Sequence, residues 1–202
     1  RRYRFSNQPR IAGWNIARLL EAIAPLLNEP EQLSQILDVY FEAIGEQQNS
    51  MWAGKLGFDI FKDEDVELVR ELNTLLQLVE TDMTIFFRLL SDLETPDVES
   101  LKFAFYEEDK LPVKQWNEWL LKWWNRVDAT PDRVKMKLAN PKYVFRNWMA
   151  QLAIEEAEKG DFSLCEELLE LLKNPYSEQM DMHSKWFTKR PEWAKSKVGC
   201  SM

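Results

Sequence analysis

Apolar residues recur three and four positions apart along almost the whole chain, and no run alternates polar with apolar residues long enough to make a convincing strand. That period commits the chain to an all-α class. Asn7-Gln8-Pro9 opens a helix running to about Leu27, with Ile11, Trp14, Ile16, Leu19, Leu20 and Ile23 on its apolar side and Pro25 bending it or ending it early. Asn28-Glu29-Pro30 restarts the chain, Leu33, Ile36, Leu37, Tyr40, Phe41 and Ile44 follow, and the stretch from Gly54 to Gly57 is a break. Asp63 is placed to cap a helix carrying Val66, Val69, Leu72, Leu75, Leu76 and Val79, and Thr81-Asp82 to start another with Ile85, Phe86, Leu89 and Leu90. Thr95-Pro96-Asp97 reads as a loop. Pro112 suits a first helical position before Trp116, Trp119, Leu120, Trp123 and Val127. Thr130-Pro131-Asp132 begins a short helix, and Asn140-Pro141 reads as a cap and first turn for a helix over 144–158 that Gly160 closes. Asp161 or Ser163 caps a helix with Leu164, Leu168, Leu171 and Leu172, and Asn174-Pro175 stops it. From Tyr176 onward the period is lost. The expected organisation is therefore a helical body over 1–175 and an extended basic tail over 176–202.

With 202 residues, 45% hydrophobic and 30% charged, the chain can bury a real core and is not of disordered composition. No stretch approaches the ~20 uninterrupted apolar residues of a membrane span. Arg1-Arg2-Tyr3-Arg4-Phe5 lacks both an initiator Met and the apolar run of a signal peptide, which leads us to expect that the chain begins inside something longer. The net charge of −8 is unevenly spread. The first twenty residues hold five arginines and no acid, and the last twenty hold five Lys or Arg against Glu192 alone. An acidic body argues against nucleic acid as a partner, since phosphate binding needs clustered positive charge. Two cysteines make no disulfide scaffold, and a lone His183 with distant Cys165 and Cys200 makes no zinc pattern.

No catalytic motif is complete. Gly54-Lys55 is not a phosphate loop, because Asn49 stands where the first glycine must be and Leu56 where a magnesium-holding Ser or Thr must be. His183 is the only imidazole available to activate a nucleophile. The acidic runs Asp63-Glu64-Asp65, Glu107-Glu108-Asp109 and Glu166-Glu167 read as solvated helix starts or loops. Trp116, Trp119 and Trp123 form one helical stripe, read as core in preference to an aromatic platform, and Trp124 flanks it. Cys165, among Leu164, Leu168 and Leu169, reads as a buried small hydrophobe. Cys200 differs: beside Lys195 and Lys197 its thiolate would be favoured, so it is the one candidate redox residue. Residues 153–172, turning at Gly160-Asp161, faintly suggest a single tetratricopeptide-like helical pair.

Several strings carry a resemblance. They are Arg2-Tyr3-Arg4-Phe5-Ser6-Asn7-Gln8-Pro9 followed by Trp14-Asn15 and Arg18-Leu19; Lys55-Leu56-Gly57-Phe58; and Asn140-Pro141 with Arg146-Asn147-Trp148-Met149-Ala150-Gln151, Ala153-Ile154-Glu155 and Glu158-Lys159-Gly160-Asp161. Asn174-Pro175-Tyr176, Arg190-Pro191-Glu192-Trp193 and Cys200-Ser201 follow in order. Together they resemble the C-terminal part of the selenoprotein O family of protein adenylyltransferase pseudokinases. The resemblance implies a kinase-like fold that binds ATP in a flipped orientation, with magnesium on its phosphates, and transfers AMP to Ser, Thr or Tyr hydroxyls of protein substrates. This chain would be the helical C-lobe portion. The family's glycine-rich loop, nucleotide-binding Lys and Arg residues and metal-binding Asp strings do not occur here, so no catalytic, cofactor-binding or metal residue is carried over, and ATP and magnesium would be bound upstream.

Arg2, Arg4, Asn7 and Gln8 would sit near the cleft, with Asn7 and Gln8 buried in a capped turn. Cys200-Ser201 resembles the family's terminal Cys or selenocysteine, although Met202 replaces the usual second Ser; the tail over 185–200 would then act as a redox latch. The implied location is mitochondrial in eukaryotes and cytoplasmic in bacteria. The competing reading is a non-enzymatic helical interaction module using the Trp stripe or residues 153–172. An apolar face awaiting a missing lobe would favour the enzyme reading.

Overall fold

The structure, a computed structural model, describes residues 7–26 and 32–197. It divides into two compact units, Arg1–Met51 and Trp52–Met202. Among the described residues there is no strand or sheet, only the isolated antiparallel bridge Thr81–Phe105.

In the first unit, α1 (Gln8–Ile23) starts with Pro9 in its first turn and tightens into a 3-10 turn at Ala24–Leu26. The helix thus ends where Pro25 removes a backbone donor. Asn7 holds the N-cap position, but its side chain makes no cap bond. Tyr40 and Phe41 of α2 (Gln32–Leu56) lie over Gly13, where a Cβ would come within 2.6 Å of Phe41 and 3.2 Å of Tyr40. The Tyr40 hydroxyl donates to Pro9 O at 2.8 Å.

α2 runs unbroken past Gly45 and Gly54, and the break falls at Gly57 instead. Gly57 takes φ +75°, and Phe58 N donates to Ala53 O at 2.8 Å while Gly57 N reaches Gly54 O. These are the two bonds of a Schellman stop, which needs a residue free to enter the left-handed region.

The second unit is built on α3 (Asp65–Leu75), α4 (Met83–Ser91), α5 (Val113–Arg126), α6 (Arg133–Ala139), α7 (Asn147–Ala157), α8 (Ser163–Lys173), α9 (Met180–Trp186) and α10 (Glu192–Lys197). Asp82 and Asp132 cap α4 and α6 through bonds from Ile85 N and Lys135 N. The Trp stripe is core: Trp116, Trp119 and Trp123 are at most 1% exposed. Trp116 packs 5.3 Å from both Phe86 and Phe105. The indole N–H groups of Trp119 and Trp123 donate to Leu68 O and Leu56 O, each at 2.9 Å. Two of the three buried indoles thus have their donors satisfied by carbonyls, while the Trp116 N–H has no hydrogen-bond partner among the described residues.

Several local features differ from the sequence reading: Pro112 is the N-cap and not the first residue of α5, and Phe162, not Asp161 or Ser163, holds the N-cap position of α8. Asn140-Pro141 opens no helix; Asn140 closes α6, and α7 begins only at Asn147. Residues 98–104 form a 3-10 helix that the four-residue period does not reveal, with Asp97 bonding Glu99 N. Asp63 does not cap α3, whose first residue Asp65 is itself buried. After Tyr176 the chain is not extended throughout, since α9 and α10 form with Trp186, Phe187 and Ala194 buried. Helices of 7 and 6 residues are too short to show a period.

Candidate functional site

The main concentration of buried charge lies where α4, the end of α2, the end of α6 and the α8–α9 connection meet. Asn140, Arg88 and Lys142 are 1%, 2% and 4% exposed. Asn140 Nδ2 donates to Lys55 O at 3.0 Å, and Lys55 Nζ donates back to Asn140 Oδ1 at 3.1 Å. One side chain therefore serves a carbonyl in the last turn of α2 and the lysine beside it. Burial lowers the Lys55 amine from its ordinary value, and its ammonium also sits 4.5 Å from the Phe87 ring.

Arg88 is held at both ends of its guanidinium. Nη1 donates to Lys137 O and Asn140 O at the C-terminus of α6, and Nη2 to Glu178 Oε1 at 2.6 Å. Glu178 also receives Lys142 Nζ at 2.8 Å and Lys137 Nζ at 3.1 Å. Its backbone carbonyl takes Lys142 Nζ and the Tyr143 hydroxyl. Partial burial pushes the Glu178 carboxyl upward, but the bonds from Lys142, Arg88 and Lys137 outweigh it and hold the group at about 2. Gln179, at φ +38°, follows and donates to Leu171 O and Asn174 O. Lys142 N and Tyr143 N both reach Pro175 O.

A second cluster fastens α7 and the C-terminal segment. Asp82, besides capping α4, takes both Nη groups of Arg146, Nη2 at 2.8 Å. Arg190 bonds Glu80 at 2.7 Å, its backbone N–H donates to the Tyr106 hydroxyl at 2.9 Å, and its guanidinium lies 5.2 Å from that ring. Lys189 Nζ donates to Phe105 O. Trp186 stacks on Trp148 at 5.8 Å and donates to Glu167 Oε1 at 2.6 Å. Asp65 takes Arg126 Nε at 2.6 Å and Nη2 at 2.9 Å. In the open cleft beside that pair Lys122 bonds Glu71, so its two cations already have carboxylates.

Cys200, Arg2 and Arg4 lie outside the described residues. Asn7 is half-buried and Gln8 exposed, so the expected burial of both in a capped turn does not hold. Cys165 is exposed, not buried. The core stripe of α8 is Leu164, Leu168 and Leu171, and the position next to Leu164 points about 100° away. His183 packs 5.0 Å from Phe187, and its buried Nδ1 has no hydrogen-bond partner among the described residues. Glu107, Glu108, Asp109 and Glu166 are exposed, as expected of solvated runs, whereas Asp65 is 1% exposed and paired.

Sequence reasoning passed over Arg88, Lys142, Glu178 and Asp82 as charges. Asn140 and Arg146 were visible in the Asn140-Pro141 and Arg146-Asn147 strings, but with no partner assigned. Among the described residues no group of three or more His, Cys, Asp or Glu could hold a metal, and no glycine-rich turn cradles a phosphate.

What the fold and its clusters define is a helical module whose carboxylates and cations chiefly serve to tie distant segments together. The chain belongs to the protein adenylyltransferase SelO family, whose model matches residues 1–173. It is similar to the protein nucleotidyltransferase YdiU of Flavobacterium johnsoniae, with 46% identity over all of this chain and 41% of the relative. The proteins of the same name from Aromatoleum aromaticum and Rhodopirellula baltica are 43% and 42% identical, again over the whole chain and over 40% and 42% of their own length. The chain thus spans about two fifths of the curated relatives it matches. No helix among the described residues is long and apolar enough to cross a membrane.

Proposed function

We propose that this chain is the C-terminal helical portion of a SelO-type protein adenylyltransferase. The whole protein would move AMP from ATP to a Ser, Thr or Tyr hydroxyl of a protein substrate: the hydroxyl oxygen bonds the α-phosphorus, pyrophosphate leaves, and the hydroxyl proton is lost. ATP and magnesium are held by residues outside these 202. The contribution of this chain is architectural. It completes the C-lobe of a kinase-like fold through the body at 1–175, and the tail at 176–202 carries Cys200 as the candidate redox residue.

The observation that carries the reading is the family match over 1–173 in a chain that amounts to two fifths of its relatives. The clusters support the architectural part. Lys55 and Asn140 bond each other, Pro175 O receives Lys142 N, and Arg146 and Arg190 are each spent on an internal carboxylate. The strings that resemble the family therefore meet as fastenings. The relatives named above are bacterial, which favours the cytoplasmic alternative over the mitochondrial one.

The test is an incubation with magnesium and ATP labelled at the α- or the γ-phosphate, using the full-length protein and this chain side by side. Label from the α position on protein in the full-length sample only is the expected result. Transfer of γ-label would make the parent a kinase, and α-label transferred by the 202-residue chain alone would refute the placement of the chemistry outside it.

A further inference from the structure

In the first unit, hydrophobicity and burial disagree. The buried residues of α1 are Ile11, Gly13 and Leu20, and no residue of α2 from Gln35 to Met51 is buried. Yet α2 carries Ile36, Leu37, Val39, Tyr40, Phe41 and Ile44, which is apolar on more than one side. Tyr40 and Phe41 meet Gly13 of α1. That leaves Ile36 at 46% and Val39 at 63% exposure, with Leu19 at 60% on α1, whereas Trp14 has the Arg18 guanidinium 5.7 Å from its ring. A helix apolar around more than one stripe belongs in an interior. Exposed apolar side chains gathered on one helix pair mark a place where another protein surface sits.

We propose that this surface is the seat of the part of the adenylyltransferase polypeptide that lies outside these 202 residues, which covers Ile36 and Val39 of α2 and Leu19 of α1 in the whole protein. The inference rests on the reading above that the chain is part of a longer enzyme. It commits to that occupant because the relatives align with all of this chain while it makes up only 40–42% of them, so three fifths of such a polypeptide remains to supply a covering face. A tethered occupant acts at an effective concentration in the millimolar range for a short flexible link, which a free second copy does not reach in dilute solution.

The test places single cysteines at exposed positions, Leu19→Cys, Ile36→Cys and Val39→Cys, in the full-length protein and in the 202-residue chain. Each is pulse-labelled with a small alkylating reagent, and the labelled peptides are read by mass spectrometry, with the native exposed Cys165 as internal reference. The expected result is labelling at 19, 36 and 39 that is slower than at Cys165 by about tenfold or more in the full-length protein, and comparable to Cys165 in the short chain. Equal rates in the two proteins overturn the proposal. So does slow labelling in the short chain, which would assign the cover to residues 52–202 if independent of concentration and to a second copy if dependent on it. α-Label transfer is measured on the same full-length samples. An active enzyme with fast labelling sinks the surface and leaves the enzymatic reading standing; protection without AMP transfer does the reverse.

Discussion

Replacing Glu178 by Gln keeps the shape of the side chain and removes its charge from between Arg88 and Lys142, whose side chains are each 3% exposed. The folded protein holds this carboxyl at about 2 against an ordinary 4.5. At about 1.4 kcal/mol per pH unit, that depression corresponds to about 3 kcal/mol. The Glu178 side chain is itself 45% exposed, so water screens part of the interaction and about 1–2 kcal/mol is the better figure for the charge alone. Leaving two buried cations facing a neutral amide pulls the other way, since breaking a buried pair costs about 3–5 kcal/mol. We expect Glu178→Gln to destabilise the chain by about 2 kcal/mol at pH 7, read from urea unfolding midpoints with unchanged slopes. The sign with pH follows from the direction of the depression. Its stabilisation is fully present above the unfolded value near 4.5 and is lost as pH falls through about 2. The difference between wild type and variant should therefore stay level from pH 7 to about 5 and close between there and pH 2. A difference below about 0.5 kcal/mol at pH 7, or one that does not narrow on acidification, would refute the hub as the fastening of the α8–α9 connection.

Asp82→Asn removes the carboxylate from Arg146 while leaving an N-cap side chain; the cost should be about 3 kcal/mol in a thermal or urea melt, whereas Asp132→Asn, at an exposed cap, should cost under about 1 kcal/mol. Gly57→Ala and Gly160→Ala both force a Cβ into positive φ, but only at Gly57 does the Cβ meet Met136, at 2.9 Å. Each pays about 1–2 kcal/mol of backbone strain, and Gly57→Ala should be the worse of the two; equal losses would show that Met136 gives way freely. Cys165 should react with a thiol reagent in the native chain without denaturant, at a rate close to that in urea. Ending the chain after Asn174 removes Pro175, Glu178, Trp186 and Phe187 together, and should cost more than the Glu178→Gln loss by at least the roughly 2–3 kcal/mol of burying one large aromatic side chain.

The parts legible in the sequence are those whose cause is local. Trp116, Trp119 and Trp123 announce a buried stripe because three positions three and four apart on one helix face the same way, and Asp82 and Asp132 announce helix starts because a cap bonds a donor three residues on. The two clusters were not legible because their bonds span the chain. Arg88 and Glu178 are 90 positions apart, Lys55 and Asn140 are 85, and Asp82 and Arg146 are 64. Nothing in a window around Glu178 distinguishes it from the solvated Glu107 or Glu166. Asn140-Pro141 misled for a related reason. Its composition suits an N-cap, but the amide is already engaged by α2, and the residues after Pro141 are drawn to Pro175 instead of into a helix.

The same geometry bears on how the end of the chain can move. The family match stops at residue 173, yet the hub takes its carboxylate from Glu178, and Trp186, Phe187 and Ala194 are packed into the core. Lys189 and Arg190 add bonds to Phe105 O and Glu80. A redox latch that swings the whole stretch over 185–200 would have to break the Trp148–Trp186 stack, the Glu167 bonds and both of these fastenings at once, and would expose Arg190 and Trp186 to water as it did so. If Cys200 is the redox residue proposed above, its oxidation and reduction should therefore leave hydrogen exchange at the amides of 186–190 unchanged; exchange that rises through 186–190 on reduction would mean that the fastenings described here are themselves the latch.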